Sequence, residues 1–120
     1  MHEMSIALGI VKIAKDEVIK REAKYVSEIV LEIGELSGIE LDSLDFIWPA
    51  AVKETVLEKA ERVIEYREGK GLCIDCDTKF DVHSLSDECP KCGSYFKSIV
   101  QGKEMRVLTL TLEHENQKTV

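Results

Sequence analysis

The sequence predicts an α+β fold in which two helices pack on a three-stranded mixed β-sheet and a four-cysteine zinc ribbon with rubredoxin-like knuckles is inserted into it. Three observations predict this. Two stretches carry apolar residues at helical spacing, and three others alternate at a period of two. All four cysteines crowd into one loop as two C-x-x-C pairs with twelve residues between them. A chain of 120 residues has room for one domain with a small appendage. The expected division is 1–68 plus 104–120 as the α+β domain and 69–103 as the zinc-binding domain. That loop is too poor in apolar residues to bury a core, so metal must supply its folding energy.

The elements follow in order. Residues 4–22 read as a helix with Met4, Leu8, Val11 and Val18 on one stripe, widened by Ile6, Ile10 and Ile13. Met4 is expected to pack in the core. Residues 25–33 alternate as a strand, with Tyr25, Ile29, Leu31 and Ile33 on one face and Glu28 and Glu32 on the other. Gly34 ends it. Residues 41–54 read as a second helix with Asp42 as candidate N-cap and Leu44, Ile47, Trp48 and Val52 as its apolar face. Pro49 removes the hydrogen bond to Asp45, so a kink or early end is expected there. Residues 60–67 and 105–113 supply the second and third strands. Gly69, Gly71 and Gly102 flank the cysteine loop and read as hinges.

A C-x-x-C turn presents two sulfurs on one side of a tight loop, and two such turns facing each other form a tetrahedral cage suited to Zn(II) at about 2.3 Å per sulfur. Cys73, Cys76, Cys89 and Cys92 are therefore the candidate zinc ligands. Gly93 allows the backbone to turn back with positive φ, so that N–H groups can point at the sulfurs, and Pro90 stiffens the second turn. A rubredoxin-like iron site uses the same cage. Disulfides are the third reading, disfavoured because the start of the chain has no basic or cleavable signal-like segment and the protein is expected to be cytoplasmic.

Charge narrows the function. The chain carries 23 acidic residues against 16 basic ones, a net −7. Its Lys and Arg are scattered, which disfavours nucleic acid as a partner. No apolar run approaches the ~18 residues of a membrane span. No P-loop, H-E-x-x-H or G-x-S-x-G occurs. Four cysteines close the metal site, leaving no position for a reactive water, and no enzyme is expected. His83 and His114 read as solvated surface residues. His2 differs, because its imidazole sits beside the main-chain nitrogens of His2 and Glu3 and the Met1 amine. Such a nitrogen set favours planar coordination of Ni(II) or Cu(II). The competing reading is that residues 1–3 fray, with Glu3 a favourable charge at a helix N-terminus.

Several landmarks occur together: Met1-His2-Glu3-Met4-Ser5, then Gly34-Glu35-Leu36, the paired C-x-x-C with C-P-x-C-G, and Gly102-Lys103-Glu104-Met105. In this order, over nearly the whole chain, they resemble the HypA/HybF family of hydrogenase nickel-incorporation proteins. The resemblance implies a nickel metallochaperone that binds Ni(II) as transient cargo at its N-terminus and delivers it to the large subunit precursor of [NiFe]-hydrogenase; some members of the family also serve urease. It implies His2 as essential nickel ligand with Glu3 beside it, structural Zn(II) on the four cysteines, and a HypB-type GTPase as partner. One departure stands out: the family's Gly-Thr pair after the second helix is Glu54-Thr55 here. The alternatives are a zinc-ribbon adaptor without a second metal site, and rubredoxin-like electron transfer.

Overall fold

The computed structural model describes residues 2–114. The chain runs α1 (Glu3–Lys20), β1 (Tyr25–Gly34), α2 (Leu41–Val52), β2 (Glu61–Arg67), β3 (Lys70–Cys73), β4 (Lys79–Asp81), β5 (Lys97–Gln101) and β6 (Met105–Glu113). The two helices and the three longer strands expected from periodicity are all present. The short strands β3, β4 and β5 are additional, since runs of three to five residues carry no readable period.

The long strands form a sheet of order β2-β1-β6, and it is mixed. At one edge of β1 the Lys24 amide donates to the Glu113 carbonyl at 2.7 Å and the Gly34 amide to that of Glu104 at 2.8 Å, so β6 is antiparallel. At the other edge the Val26 amide donates to Val56 and the Glu35 amide to Arg67, so β2 runs with β1. The short strands form an antiparallel sheet of order β4-β3-β5, with Gly71 opposite Phe80 and Ile99.

By contacts the chain divides into two compact units: Met1–Leu31, Glu40–Val63 and Val107–Val120, and Glu32–Ile39 and Ile64–Arg106. The boundaries fall inside the long strands rather than at the ends of the cysteine loop. In the first unit the core is Ala7, Ile10, Ala14 and Val18 from α1, Leu44, Trp48, Ala51 and Val52 from α2, and Val26, Ile29 and Leu31 from β1. The buried stripe of α1 departs from the expected one. Met4 is 40% and Leu8 51% exposed. The buried positions of α1 include the small residues Ala7 and Ala14 in place of these larger ones. Reading the largest apolar side chains as the core face therefore misplaced Met4.

Two further expectations change. In β1, Tyr25 is exposed and Val26 buried, and Val26 and Ile29 are three residues apart, so the alternation breaks between them. Glu32, expected outward, is buried. The N-cap of α2 is Glu40, not Asp42, which lies in the first turn. Pro49 stays inside the helix, which ends three residues later at Val52. The helix thus runs less than one turn past the proline, in keeping with the early end expected there.

In the second unit glycines are set by close backbone approach. A Cβ on Gly34 would lie 2.0 Å from the Gly102 carbonyl oxygen, and one on Gly69 would lie 1.9 Å from that of Val82. Gly69, Gly71 and Gly102 are buried. Close packing accounts for glycine at 69 and 71, and Gly102 adds to it a φ of 119°, a conformation that favours glycine.

Candidate metal centre

Strand β3 delivers Cys73 at its last residue, and the chain then makes a tight turn to Cys76. The Asp77 amide donates to the Cys73 carbonyl at 2.9 Å, and the Cys73 amide donates to the Thr78 carbonyl at 2.8 Å. The second turn repeats this bonding, with the Gly93 amide donating to Cys89 and the Cys89 amide to Ser94, both at 2.8 Å. Each turn is closed by a residue in the left-handed region, Asp77 at φ 61° and Gly93 at φ 76°. Gly93 matches the expectation. Asp77 was legible too, because it stands one place after Cys76 as Gly93 stands after Cys92, and Asp tolerates that region better than most residues.

The four sulfurs lie within 4.8 Å of one another. Cys73 and Cys92 Sγ are 3.6 Å apart, as are Cys76 and Cys89 Sγ. A tetrahedron with ligands at about 2.3 Å places them about 3.8 Å apart. A disulfide needs about 2.05 Å, and all four cysteines are free, so the disulfide reading fails. The Lys91 amide donates to Cys89 Sγ at 3.4 Å. The Thr78 hydroxyl, 3.1 Å from Cys76 Sγ, holds that thiol down to about 6. The Ser94 amide favours the Cys92 thiolate, but the Cys73 sulfur and burial outweigh it and push Cys92 up to about 12. This donor set fits a divalent ion that takes sulfur tetrahedrally, Zn(II) foremost. Bound there, zinc would neutralise the crowded thiolates and tie the two turns together.

The amino-terminal candidates belong to the first unit. His2 is exposed and extended, and its carbonyl accepts the Ile6 amide at 3.2 Å, which makes it the N-cap of α1. Glu3 is the first helical residue, and its Oε2 accepts the Glu40 amide at 3.1 Å. That bond holds the Glu3 carboxyl below its usual range. Met1, the third candidate through its amine, lies outside the described residues. The nitrogen candidates and the four cysteines fall in different units.

Three contacts escaped sequence reasoning. His83 is exposed, as expected, yet its Nδ1 is 2.8 Å from Glu35 Oε2. Glu35 Oε1 accepts the Gly69 amide at 2.8 Å. His114 Nε2 lies 3.2 Å from the Arg21 carbonyl. No local pattern announces pairs 48 or 93 residues apart. Among the described residues, no helix is long and apolar enough to cross a membrane.

A family model described as hydrogenase/urease nickel incorporation, metallochaperone, hypA matches residues 1–112. The chain belongs to the HypA family. A hydrogenase maturation factor HypA of Parabacteroides distasonis is 44% identical over 115 residues, 96% of this chain and all of that one. The HypA of Prosthecochloris aestuarii is 42% identical over 113 residues, 94% of this chain and all of its own. Among solved structures, the solution structure of the nickel metallochaperone HypA from Helicobacter pylori aligns with a TM-score of 0.67 at 28% identity, covering 96% of this chain and 100% of that one. The HypA family is one of nickel metallochaperones for hydrogenase and urease, and the four-cysteine cluster fits its zinc site.

Proposed function

We propose that this chain binds Ni(II) at its amino-terminal end and releases it for maturation of [NiFe]-hydrogenase, with zinc held by Cys73, Cys76, Cys89 and Cys92 in a structural role. The observation that carries the reading is the exposed imidazole of His2 at the N-cap of α1. Helix geometry provides no i−4 carbonyl for the main-chain nitrogens of the first turn. His2 and Glu3 therefore offer an imidazole and two amide nitrogens in adjoining chelate rings. Glu3 serves through its main-chain nitrogen, because its carboxylate is engaged by the Glu40 amide. The Met1 amine completes a nitrogen-rich set suited to planar Ni(II).

The amide nitrogens must lose protons to bind the cargo strongly, so affinity rises with pH. Ligands at the end of a chain also make release easy, which a carrier needs. By function we assign nickel binding to 1–68 plus 104–120 and zinc binding to 69–103, a division that the contact boundaries inside β1, β2 and β6 cut across. Partners in keeping with the family are a HypB-type GTPase and the hydrogenase large subunit precursor, with urease maturation as a further client process, all in the cytoplasm.

Ni(II) titration of the untagged parent and of His2→Ala, with zinc measured in both, tests this. The parent should take up one exchangeable nickel that His2→Ala does not, at equal zinc content. Equal nickel binding by the two proteins sinks the N-terminal site and leaves a zinc-ribbon adaptor.

A further inference from the structure

We infer that the face of the second unit around the first cysteine turn is a docking surface for a basic polypeptide segment that also carries apolar side chains. Three large side chains stand out there: Ile74, Tyr95 and Phe96 are 63%, 62% and 70% exposed. Ile74 and Phe96 are neighbours, and Tyr95 is one residue along. The Ile74 amide donates to the Phe96 carbonyl at 3.0 Å, and the Ser94 hydroxyl donates to the Asp75 carboxylate. The first cysteine turn and the segment entering β5 thus run side by side, extending the pairing of Cys73 with Lys97. A single exposed apolar residue needs no explanation, but an exposed aromatic ring paired with an exposed isoleucine, with a second exposed ring next in the chain, points to an interaction site.

The charges around the group choose the occupant. Asp75 and Asp77 follow Ile74 in the chain, and both are exposed. Lys97, next to Phe96, turns its ammonium onto backbone, donating to the Asp87 carbonyl at 2.8 Å and the Tyr95 carbonyl at 3.2 Å; Lys79, two places after Asp77, is exposed. From Cys73 to Gln101 five acids stand against three lysines, a net −2 before any metal is counted. Phosphate backbones and anionic lipid surfaces are repelled by that sign. A second copy of this chain brings another −7. A polypeptide with Lys or Arg beside apolar residues satisfies both the rings and the carboxylates, and complementary charge speeds its encounter. The inference stands apart from the nickel site and does not need it.

The test uses the full-length zinc-loaded protein, isotope-labelled for amide NMR, and a short peptide of alternating lysine and leucine as probe. A glutamate–leucine peptide, a single-stranded oligonucleotide and the unlabelled protein itself are the comparisons. The lysine peptide should shift the amides of Ile74 to Asp77 and Tyr95 to Lys97, more weakly as salt rises. The double variant Ile74→Ser/Phe96→Ser should bind it about tenfold more weakly at unchanged zinc content. Should that variant lose zinc, Asp77→Asn, which keeps a residue tolerant of positive φ, reads the charge alone and should weaken binding several-fold. Shifts centred elsewhere, equal shifts with any comparison ligand, or unchanged affinity in a zinc-retaining variant would overturn the inference.

Discussion

Glu32 Oε2 accepts Arg67 Nε at 2.6 Å on a strand where alternation alone would turn a glutamate toward water. The other oxygen, Oε1, accepts Arg106 Nε at 2.5 Å. The carboxylate is buried because β1 is the central strand, and its neighbours β2 and β6 each bring an arginine to it. Arg67 in turn reaches Glu65 at 2.9 Å. Glu32→Ala leaves two guanidinium groups facing each other, whereas Arg106→Ala leaves the Arg67 pair intact. Thermal melting should therefore show the larger loss for Glu32→Ala, and the Glu32→Ala/Arg106→Ala double variant should lose less than the sum of the singles. The bonds to Arg67, then Arg106, hold the Glu32 carboxyl below its ordinary value of 4.5. Its contribution to stability is present above that value and is lost as pH falls through the depressed one. A Glu32→Gln variant should show a shallower acid dependence of unfolding.

His83 and Glu35 respond to pH from both sides. Glu35 lifts the His83 imidazole above its ordinary 6.5, with Asp81 and Asp87 adding to the effect. The Gly69 amide and then His83 lower the Glu35 carboxyl from 4.5. The histidine's share is full below 6.5 and lost as pH rises through its raised value. The glutamate's share is present above 4.5 and lost as pH falls through its lowered one. Denaturant unfolding of parent and His83→Ala should differ most near about pH 5.5 and converge by about pH 8.5. His83 is 67% exposed, so the difference should be small and shrink in salt.

Glu54 carries φ 61° at the turn that follows α2. The turn itself is well made: the Thr55 hydroxyl donates to the Val52 carbonyl at 2.6 Å and accepts the Leu57 amide at 3.1 Å. A side chain in the left-handed region costs about 1 kcal/mol. Glu54→Gly should stabilise the protein by roughly that amount, measured by urea unfolding at neutral pH.

Removal of zinc should unfold the second unit locally. Chelation, or Cys73→Ser, is expected to collapse the amide dispersion of residues 70–101 while that of α1 and α2 persists, because the core of α1, α2 and β1 is apolar and needs no metal. NMR spectra before and after chelation check this.

Much of the architecture was legible because period and spacing are local. The bounds of β6, the positive φ of Gly93 and the convergence of four sulfurs all followed from a few residues of context. What escaped depended on partners far along the chain. Met4 could not be told from a core residue until tertiary packing had buried Ala7 and Ala14 instead. Glu32 could not be known as buried until Arg67 and Arg106 were beside it. At the candidate sites the cysteines could be read from spacing, while the bond from the Glu40 amide to Glu3 joins residues 37 apart and leaves no mark in either segment.

The chain has one tryptophan. Trp48 is buried in α2, and the Arg62 guanidinium lies 5.0 Å from the centre of its ring, steered there by an ion pair with Asp45. Of the three tyrosines, Tyr66 and Tyr95 lie in the other compact unit. The two units thus carry different natural fluorophores. Indole emission, excited selectively, reports the helical unit alone, while tyrosine emission is weighted toward the cysteine-bearing one. Unfolding of each unit can be followed by colour of light, in the unmodified protein and in real time.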